Sequence, residues 1–420
     1  MPRYAALVVV VGGALASAAV FAGGQSPRSE ERAAVARSID LPVADVSAAG
    51  LADAIARARQ QLAERPGTRV VLQLPAGTFD LSGPRAGRRP ASIDLSGIDA
   101  CPAGLVLRGA GMMRTTLIKD DDLVGIIARN ASCLTITDLT LAQKRPEVSQ
   151  GTVTAVAPGT IDIDVPAGFA SPAALAAVTP SRDYNGRAIR WAKRFERVGS
   201  DVRMIVNERA VRWTGAVPVP GKPLRFRITI DVGRPGATQF KMGDLVGLTA
   251  KSGGQAYRFV NGHDITFQNV RWIGDARGKF RRVDRVTIRG VRVTPPAQIA
   301  GMPYLFATSA GGPQIGHPGD PLTTGHVVED NVFEKTGDDA IALADASGVV
   351  RRNRITDAAR GILIVGAGDV TLADNILVRA PVLHKAVGGA ARPRRACAAD
   401  EDCRPRRAPP AGDSDDDDGF

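Results

Sequence analysis

The sequence predicts an all-β protein built as a parallel β-helix, with a capping helix near its start and an antiparallel subdomain inserted into it. Its 420 residues include 46 glycines, 28 prolines and many short Val, Ile and Thr runs, and only 5% are aromatic. This composition favours strands and turns over a helical bundle. In the last third, three similar segments place Asn331, Asn353 and Asn375 at intervals of 22 residues. Such a period is typical of a β-helix.

The first 22 residues are predicted to be a signal peptide. Arg3 precedes a weakly hydrophobic run from Ala5 to Ala22 that is rich in small residues, and its Val-x-Ala ending suits signal peptidase. We therefore expect a periplasmic or extracellular protein with no membrane span after cleavage. The alternative is an uncleaved anchor, because 18 apolar residues lie at the short end of a membrane span.

Four cysteines in an exported chain predict two disulfides. Cys397 and Cys403 would close a short local loop, so Cys101 and Cys133 would bridge neighbouring segments. No Cys-x-x-Cys spacing occurs and the histidines are scattered, so we expect neither a metal site nor a cofactor.

The rest of the chain divides according to its patterns. Leu51 to Leu62 carries apolar residues at helical spacing, and short β runs follow it. One long stretch loses the period and shows alternating strands, which predicts the inserted subdomain. The end of the chain is charge-segregated and poor in apolar residues, which is typical of disorder. The expected divisions are a signal peptide at 1–22, a linker at 23–48, the cap and first coils at 49–144, the insertion at 145–257, further coils at 258–390 and a disordered tail at 391–420.

The asparagines of the repeat are expected to occupy turns. Asparagine tolerates left-handed backbone conformations, and stacked asparagines can hydrogen-bond from coil to coil. Asn269 and Gly290 extend the series, and the gap of 41 residues to Asn331 is either one coil with a long insertion or two coils. A β-sandwich is the alternative fold, but it gives no reason for this period.

The formal net charge of +11 suits an anionic partner. Export argues against a nucleic acid, and the basic residues are spread along the chain rather than clustered with aromatics. A compositionally biased, arginine-rich surface is the alternative interpretation. The remaining partner class is an oligosaccharide or polysaccharide substrate.

Asp338 and Asp339 are the candidate catalytic pair. They precede an apolar strand, and a strand would force one of two adjacent carboxylates into the core, so we expect both on the turn. Their mutual repulsion would raise one pKa and so separate an acid from a base, as glycoside hydrolysis requires. A surface turn capped by two aspartates is the structural alternative.

Arg360 is expected beside this pair. Asp338 follows Asn331 by seven residues and Arg360 follows Asn353 by seven, so the two should lie on neighbouring coils. There the guanidinium would lower a carboxyl pKa or bind substrate. A structural ion pair between coils is the alternative.

A glycine-rich segment at 304–320 is longer than a solenoid turn requires, which indicates a binding loop. It carries Asp320 as a third candidate catalytic carboxylate. Three further residues are candidate substrate-binding groups, His317 and Tyr304 in the loop and Lys335 just before the pair.

The segments at 70–79 and 105–111 resemble the N-terminal part of the pectate-lyase superfamily of right-handed β-helix proteins. Residues 144–156, 242–246 and 337–341 resemble exported β-helix proteins related to glycoside hydrolase family 110, which are inverting exo-α-galactosidases. The pair Asp338 and Asp339 also resembles that of the polygalacturonases. The likeness covers roughly residues 49–385 and is specific around 337–341.

The resemblance implies a right-handed helix in which Asp338 and Asp339 act as general acid and water-orienting carboxylate. These families supply a further aspartate from the preceding coil, where this chain has residues 308–312 without one, and Asp320 is the candidate replacement. Two other functions remain open. One is a polysaccharide lyase, in which Lys335, Arg360 and His317 would serve as base or charge neutraliser. The other is a non-catalytic glycan-binding or envelope protein.

Overall fold

A computed structural model describes most of the chain between residues 37 and 385. The predicted signal peptide, most of the predicted linker, Cys397, Cys403 and the predicted disordered tail lie outside the described residues. Neither described helix is long and apolar enough to cross a membrane. The described ranges are 37–82, 91–120, 123–145, 147–178, 188–199, 201–206, 210–231, 239–251, 254–274, 276–296, 298–299 and 302–385.

Two helices and 27 strands are described. The helices are α1 (Ala48–Glu64) and α2 (Pro172–Ala177). The strands are β1 (Ser38–Pro42), β2 (Arg69–Gln73), β3 (Gly77–Asp80), β4 (Ala91–Asp94), β5 (Leu105–Arg108), β6 (Thr115–Lys119), β7 (Val124–Gln143), β8 (Val148–Ala157), β9 (Thr160–Asp164), β10 (Arg190–Val198), β11 (Asp201–Met204), β12 (Val211–Val219), β13 (Lys222–Ile230), β14 (Leu245–Ala250), β15 (Gln255–Ile273), β16 (Gly278–Arg289), β17 (Arg292–Val293), β18 (Pro313–Gly316), β19 (Thr323–Glu329), β20 (Val332–Glu334), β21 (Asp339–Ala344), β22 (Ala346–Arg351), β23 (Arg354–Thr356), β24 (Arg360–Val365), β25 (Val370–Ala373), β26 (Ile376–Val378) and β27 (Val382–Lys385).

Helix α1 caps the first coil, as the sequence predicts. Ser47 begins it, because its hydroxyl accepts the backbone N–H of Gly50 at 3.1 Å and so satisfies one of the free donors of the first turn. Its buried residues Leu51, Ala54, Ile55 and Ala58 recur at helical spacing and join the main core. Residues 38–42, expected within a linker, instead form β1, which pairs with β2 in parallel.

The strands stack as a right-handed parallel β-helix, which confirms the predicted fold class. Each coil of the later part has three strands, and each strand pairs in parallel with its counterpart one coil on. Thus β21 pairs with β24 and β24 with β27, while β22 pairs with β25 and β23 with β26. Sites at equivalent positions on successive coils therefore lie about 4.8 Å apart.

Inward-facing side chains fill the solenoid with one continuous apolar core. Aromatic residues are rare in this chain, yet five of them meet in the middle coils. Ring centroids in this cluster lie 4.6–6.2 Å apart. Its members are Tyr257, Phe259, Phe267, Trp272 and Phe280.

The predicted asparagine ladder is present. Asn331 Nδ2 donates to Asn353 Oδ1 at 2.8 Å, and Asn353 Nδ2 donates to Asn375 Oδ1 at 2.9 Å. The expectation of left-handed conformations is shifted by one residue. The residues that precede each ladder asparagine adopt them, with φ of 59° at Asp330 and 53° at Arg352.

Asn269 and Gly290, the earlier members of the series, align with the residue that precedes each ladder asparagine. Arg271 pairs with Arg292, and Arg292 pairs with Val332. Asn269 and Gly290 therefore align with Asp330 and not with Asn331. A single coil with inserted residues spans the long gap, because β16 pairs directly with both β18 and β19.

The insertion forms a seven-stranded antiparallel sheet from β8 to β14, in the order β11, β10, β12, β13, β9, β8, β14. It has its own core, built on Trp213, Ile228 and neighbouring apolar residues. A smaller cluster joins it to the loop at 304–306. Strand β7 ends at Gln143 and β15 begins at Gln255. The insertion thus replaces a corner that the next coil turns between Ile273 and Gly278.

Candidate functional site

The acidic pair lies where β21 begins. Asp338 is on the turn with 17% of its side chain exposed, whereas Asp339 is the first strand residue and only 1% of its side chain is exposed. Gly311 on the preceding coil makes this close approach possible, because a Cβ there would lie 1.8 Å from the carbonyl oxygen of Asp339. The expectation that both carboxylates would face solvent is met by Asp338 alone.

Arg360 joins the two carboxylates from the next coil, the place that the sequence spacing predicts. It pairs with Asp339 in the register of β21 and β24. Its Nη2 donates to Asp338 Oδ1, and its Nε and Nη2 lie 2.5 and 2.9 Å from the two oxygens of Asp339. One guanidinium therefore holds both carboxylates.

Two lysines of the inserted subdomain complete the charged cluster. Lys251 follows β14, and its Nζ lies 2.5 Å from Asp338 Oδ2. Lys193 on β10 is buried, with its Nζ 3.9 Å from the sulfur of Met204. Burial lowers the pKa of Lys193 to about 8, against the opposing attraction of Asp338.

The cations determine the ionisation of Asp338. Burial alone would raise the pKa of its carboxyl, but Arg360 and Lys251 outweigh burial and hold that pKa well below its usual range. The expected rise from repulsion within the pair is therefore not found at Asp338. A carboxylate in this state can accept a proton or orient water, and it is a poor proton donor.

Glu147 is a further carboxylate near the cluster, and no repeat in the sequence marks it. It is 3% exposed, and it accepts hydrogen bonds from Ser309 Oγ at 3.0 Å and from Gln143 Nε2 at 3.2 Å. Its carbonyl accepts the N–H of Ala250, the residue before Lys251. Both ends of the insertion thus reach the same corner.

The separations between these carboxylates limit their chemistry. Oxygens of Asp338 and Asp339 share the Nη2 donor of Arg360, so they lie within about 6 Å of each other. Thr308 bridges Thr336, so Ser309 stands one coil before Gly337. Glu147 is thus held, through Ser309, on the coil before the one that carries Asp338.

The structure does not bring Asp320 and His317 to the pair. Asp320 forms two hydrogen bonds of 3.0 Å with Arg281, and the next residue back, Gly319, donates to Asp345 at the far end of β21. Six strand residues at about 3.3 Å each separate that end from the pair. His317 Nδ1 contacts the carbonyl of Pro318, and burial lowers its pKa.

Tyr304 and Lys335 lie against the insertion. The Tyr304 ring packs edge-on against Phe169, with centroids 4.8 Å apart, and burial raises the pKa of its hydroxyl. Lys335 Nζ lies 3.5 Å from the carbonyl of Tyr304. The Tyr304 ring thus packs onto the insertion at one edge, rather than standing clear as a sugar platform.

One group of possible metal ligands occurs among the described residues, formed by Cys101, Cys133, His263 and Asp264. The two cysteines form a disulfide, which agrees with the predicted pairing. Asp264 accepts two hydrogen bonds from Arg285. His263 Nδ1 also contacts Asp264 Oδ2 at 2.8 Å, so the carboxylate of that group is shared between Arg285 and His263.

No family model matches this sequence, and no curated protein matches it either. Solved structures are similar at low identity. A GH87 alpha-1,3-glucanase catalytic unit from Streptomyces thermodiastaticus is 16% identical with a TM-score of 0.34, over 82% of this chain and 42% of its own. A DFA-IIIase from Arthrobacter chlorophenolicus is 10% identical with a TM-score of 0.39, over 81% and 64%.

A third similar structure is a mannuronan C-5 epimerase A-module from Azotobacter vinelandii, 13% identical with a TM-score of 0.30, over 77% of this chain and 72% of that one. All three are parallel β-helix proteins that are active on carbohydrates. The chain spans less than two thirds of the length of the glucanase and the DFA-IIIase.

Proposed function

We propose that this protein is an exported glycoside hydrolase whose reaction centre is the cluster around Asp338. One observation carries the proposal, the convergence of carboxylates and cations where the insertion meets the solenoid. Charged groups with shifted pKa values are costly to bury, and such clusters are concentrated at functional sites. The resemblance of residues 337–341 to glycoside hydrolase family 110 and to polygalacturonases supports the same assignment.

In this proposal Asp338 is the ionised carboxylate that orients the attacking water, since Arg360 and Lys251 keep its pKa low. Asp339 is a positioning residue that fixes Arg360, and Arg360 fixes Asp338. Asp338 and Asp339 are too close to act as the two partners of an inverting mechanism, which needs about 6.5–9.5 Å between them to admit water. Glu147, held by Ser309 on the preceding coil, is the further carboxylate at this corner and is assigned as the proton donor to the leaving oxygen.

The test is a screen of the purified protein against galactosides, galacturonides and uronate polymers. On any hit, Asp338→Asn is expected to lower kcat by about a hundredfold or more, since it removes the negative charge but keeps the shape. The matched control is Asp162→Asn, which breaks a comparable pair with Arg227 in the insertion and is expected to leave kcat unchanged. Following the anomeric configuration of the product by NMR tests inversion directly. Undiminished turnover by Asp338→Asn contradicts the assignment.

Lys193 favours a second candidate, a polysaccharide lyase. An amine with a pKa of about 8 is a competent base near neutral pH, and Arg360 and Lys251 could neutralise the carboxylate of a uronate. Lyase action produces an unsaturated uronate that absorbs ultraviolet light, whereas hydrolysis produces none. The same screen therefore separates the two reactions, and binding without turnover on every glycan would indicate the non-catalytic alternative.

Export rests on the apolar segment at 1–22 and is supported by the disulfide between Cys101 and Cys133, since disulfides persist in oxidising compartments. Expression of the full chain in a secreting bacterial host, followed by mass spectrometry of the mature protein, tests it. The expected product has lost the apolar segment and contains no free thiol at Cys101 or Cys133.

A further inference from the structure

A polar depression of about 500 Å³ lies on the outer surface of β5, β7 and β15. The acidic pair starts β21, whereas the strands under the depression continue through β16 into β19 and β22. The depression thus belongs to a different face of the coils. The side chains that define it are Arg69, Arg108, Thr135, Thr137, Thr266 and Gln268.

Strand alternation explains its shape. Leu134 and Ile136 point into the core, so Thr135 and Thr137 point outward. Thr135 is paired with Val106 on one side and with Thr266 on the other. These short side chains form the base of the depression across three coils. The long side chains of arginine and glutamine line its sides.

Four polar side chains of the depression are unpaired among the described residues. Thr135, Thr137, Thr266 and Arg108 make no side-chain hydrogen bond or ion pair with any residue that the structure describes. On later coils of the same face, the outward-facing charged side chains pair with one another. Glu329 accepts from Arg289 at 2.6 Å and from Arg351 at 2.7 Å. The column of stacked, outward-facing residues that continues from Arg108 is therefore paired on the later coils and unpaired at the depression.

The charge of the depression favours acidic glycans over neutral ones. Arg69 uses its Nε to donate to the carbonyl of Ala103, and Arg108 has a whole guanidinium available. The carboxylate that lines the depression, Asp138, accepts a hydrogen bond from Asn269 at 3.2 Å. Two guanidinium groups against one carboxylate favour a ligand with carboxylates, and the threonine hydroxyls suit its sugar hydroxyls.

We propose that this depression is a second glycan site, which binds an acidic polysaccharide away from the reaction centre. It would hold the polymer on the solenoid while another part of the same polymer, or a different ligand, occupies the cluster around Asp338. Binding here does not depend on the proposed hydrolase activity.

The test measures binding of the full-length protein to sodium polygalacturonate and to neutral dextran by isothermal titration calorimetry at low salt. Arg108→Gln is expected to weaken polygalacturonate binding by about tenfold, since it removes a charge-assisted contact. The double variant Thr135→Val with Thr266→Val should also weaken polygalacturonate binding relative to the wild type, although it leaves the net charge unchanged. Arg292→Gln, an exposed arginine on another strand, has the same change in net charge and is expected to bind within about twofold of wild type.

Arg108→Gln is measured again in an Asp338→Asn background, which suppresses turnover of the polymer at the proposed reaction centre, and it should weaken binding there by the same factor. Equal weakening by Arg108→Gln and Arg292→Gln would show a non-specific charge effect and overturn the proposal. Equal affinity for dextran, no effect of Arg108→Gln in the Asp338→Asn background, or no polygalacturonate binding by the wild type would each overturn it as well.

Discussion

At the residue scale, the cluster around Asp338 places one carboxylate between two cations from different parts of the chain. Arg360 comes from the solenoid and Lys251 from the end of the insertion. Because both stabilise the anion, Asp338 remains charged down to acidic pH. Removing either partner would leave a buried charge only partly compensated, which costs several kcal/mol. The arrangement is therefore sensitive to the position of the insertion.

Lys193 is predicted to destabilise the folded protein at neutral pH. Its pKa is about 8 in the folded state and 10.5 without burial, so the unfolded chain binds the proton more tightly. The cost of burial is full below pH 8 and disappears as the pH rises towards 10.5. Lys193→Met should therefore raise the free energy of unfolding by up to about 3 kcal/mol at pH 7 and by little at pH 10.5.

Urea unfolding at the two pH values measures this difference. Lys241→Met, at an exposed position of the insertion, is the matched control and should change stability little at either pH. A gain for Lys193→Met that is equal at both pH values would contradict the electrostatic explanation and indicate a packing effect.

Glu147→Gln is predicted to reveal a proton donor by its dependence on the leaving group. A general acid matters most when the departing oxygen is strongly basic. On a natural glycan kcat should fall by about a hundredfold or more, whereas on an aryl glycoside with a good leaving group the loss should be much smaller. Parallel kinetics on the two substrates measure this. Equal losses on both would assign Glu147 a structural role.

At the element scale, the asparagine ladder connects three coils through side chains that also bond the backbone. Asn353 is its central member. Its Nδ2 donates to Val328 O at 2.9 Å and to Asn375, and its Oδ1 accepts from Asn331. Asn353→Ala leaves several buried polar groups unpaired and is expected to cost about 3–5 kcal/mol.

Asn375 stands at the less buried end of the ladder, where water can replace its amide. Asn375→Ala should therefore cost less, about 1–2 kcal/mol. Comparing the midpoints of denaturant unfolding for the two variants tests whether the loss of stability depends on the position within the ladder. Equal losses would mean that the position within the ladder has no effect on stability.

Sequence periodicity predicted the ladder, since repetition in a solenoid is itself a structural constraint. The same periodicity placed Arg360 beside Asp338, because both positions were counted from ladder asparagines. For the ladder asparagines the predicted conformation was off by one residue, as left-handed backbone falls on Asp330 and Arg352, whereas Asn269, which aligns with them, adopts it as predicted. Aspartate and arginine tolerate that conformation here because the coil geometry imposes it.

The misplacement of Asp320 and the omission of Glu147 share a cause. Neither residue lies in a repeat, so no period relates it to Asp338. A loop can leave either end of a strand, and Asp320 turned out to lie at the end away from the pair. One signal for Glu147 and Lys251 was available, since the two ends of any insertion into a regular coil must lie close together.

At the scale of the whole molecule, the solenoid and the insertion have separate cores and supply different residues to the cluster around Asp338. No residue of β8 to β14 belongs to the main solenoid core, and the insertion has a separate core of its own. The apolar contact between them is the small cluster that contains Leu305 and Phe306, and polar contacts, such as those of Glu147 and Lys251, also join the insertion to the solenoid. The solenoid therefore supplies rigidity and the Asp338–Arg360 pair, while the insertion supplies Glu147, Lys193 and Lys251.

Deleting residues 144–253 is predicted to leave a folded but inactive solenoid. Joining Gln143 to Gly254 restores a corner like the one between Ile273 and Gly278, in the register that β7 and β15 already share. Since the main core loses no side chain, we expect cooperative unfolding and a β-type circular dichroism spectrum. Turnover should fall below detection, since three charged groups of the cluster are lost, whereas polygalacturonate binding at the polar depression should remain.

The shortened chain exposes Leu305 and Phe306, so serine is placed at both positions to prevent aggregation. Full-length Leu305→Ser with Phe306→Ser is the control for these two changes. If the shortened chain fails to fold while that control folds, the solenoid depends on the insertion and the two cores are not independent. If it folds and retains turnover, the reaction centre does not need Glu147, Lys193 or Lys251, and catalysis must rest on the solenoid residues alone.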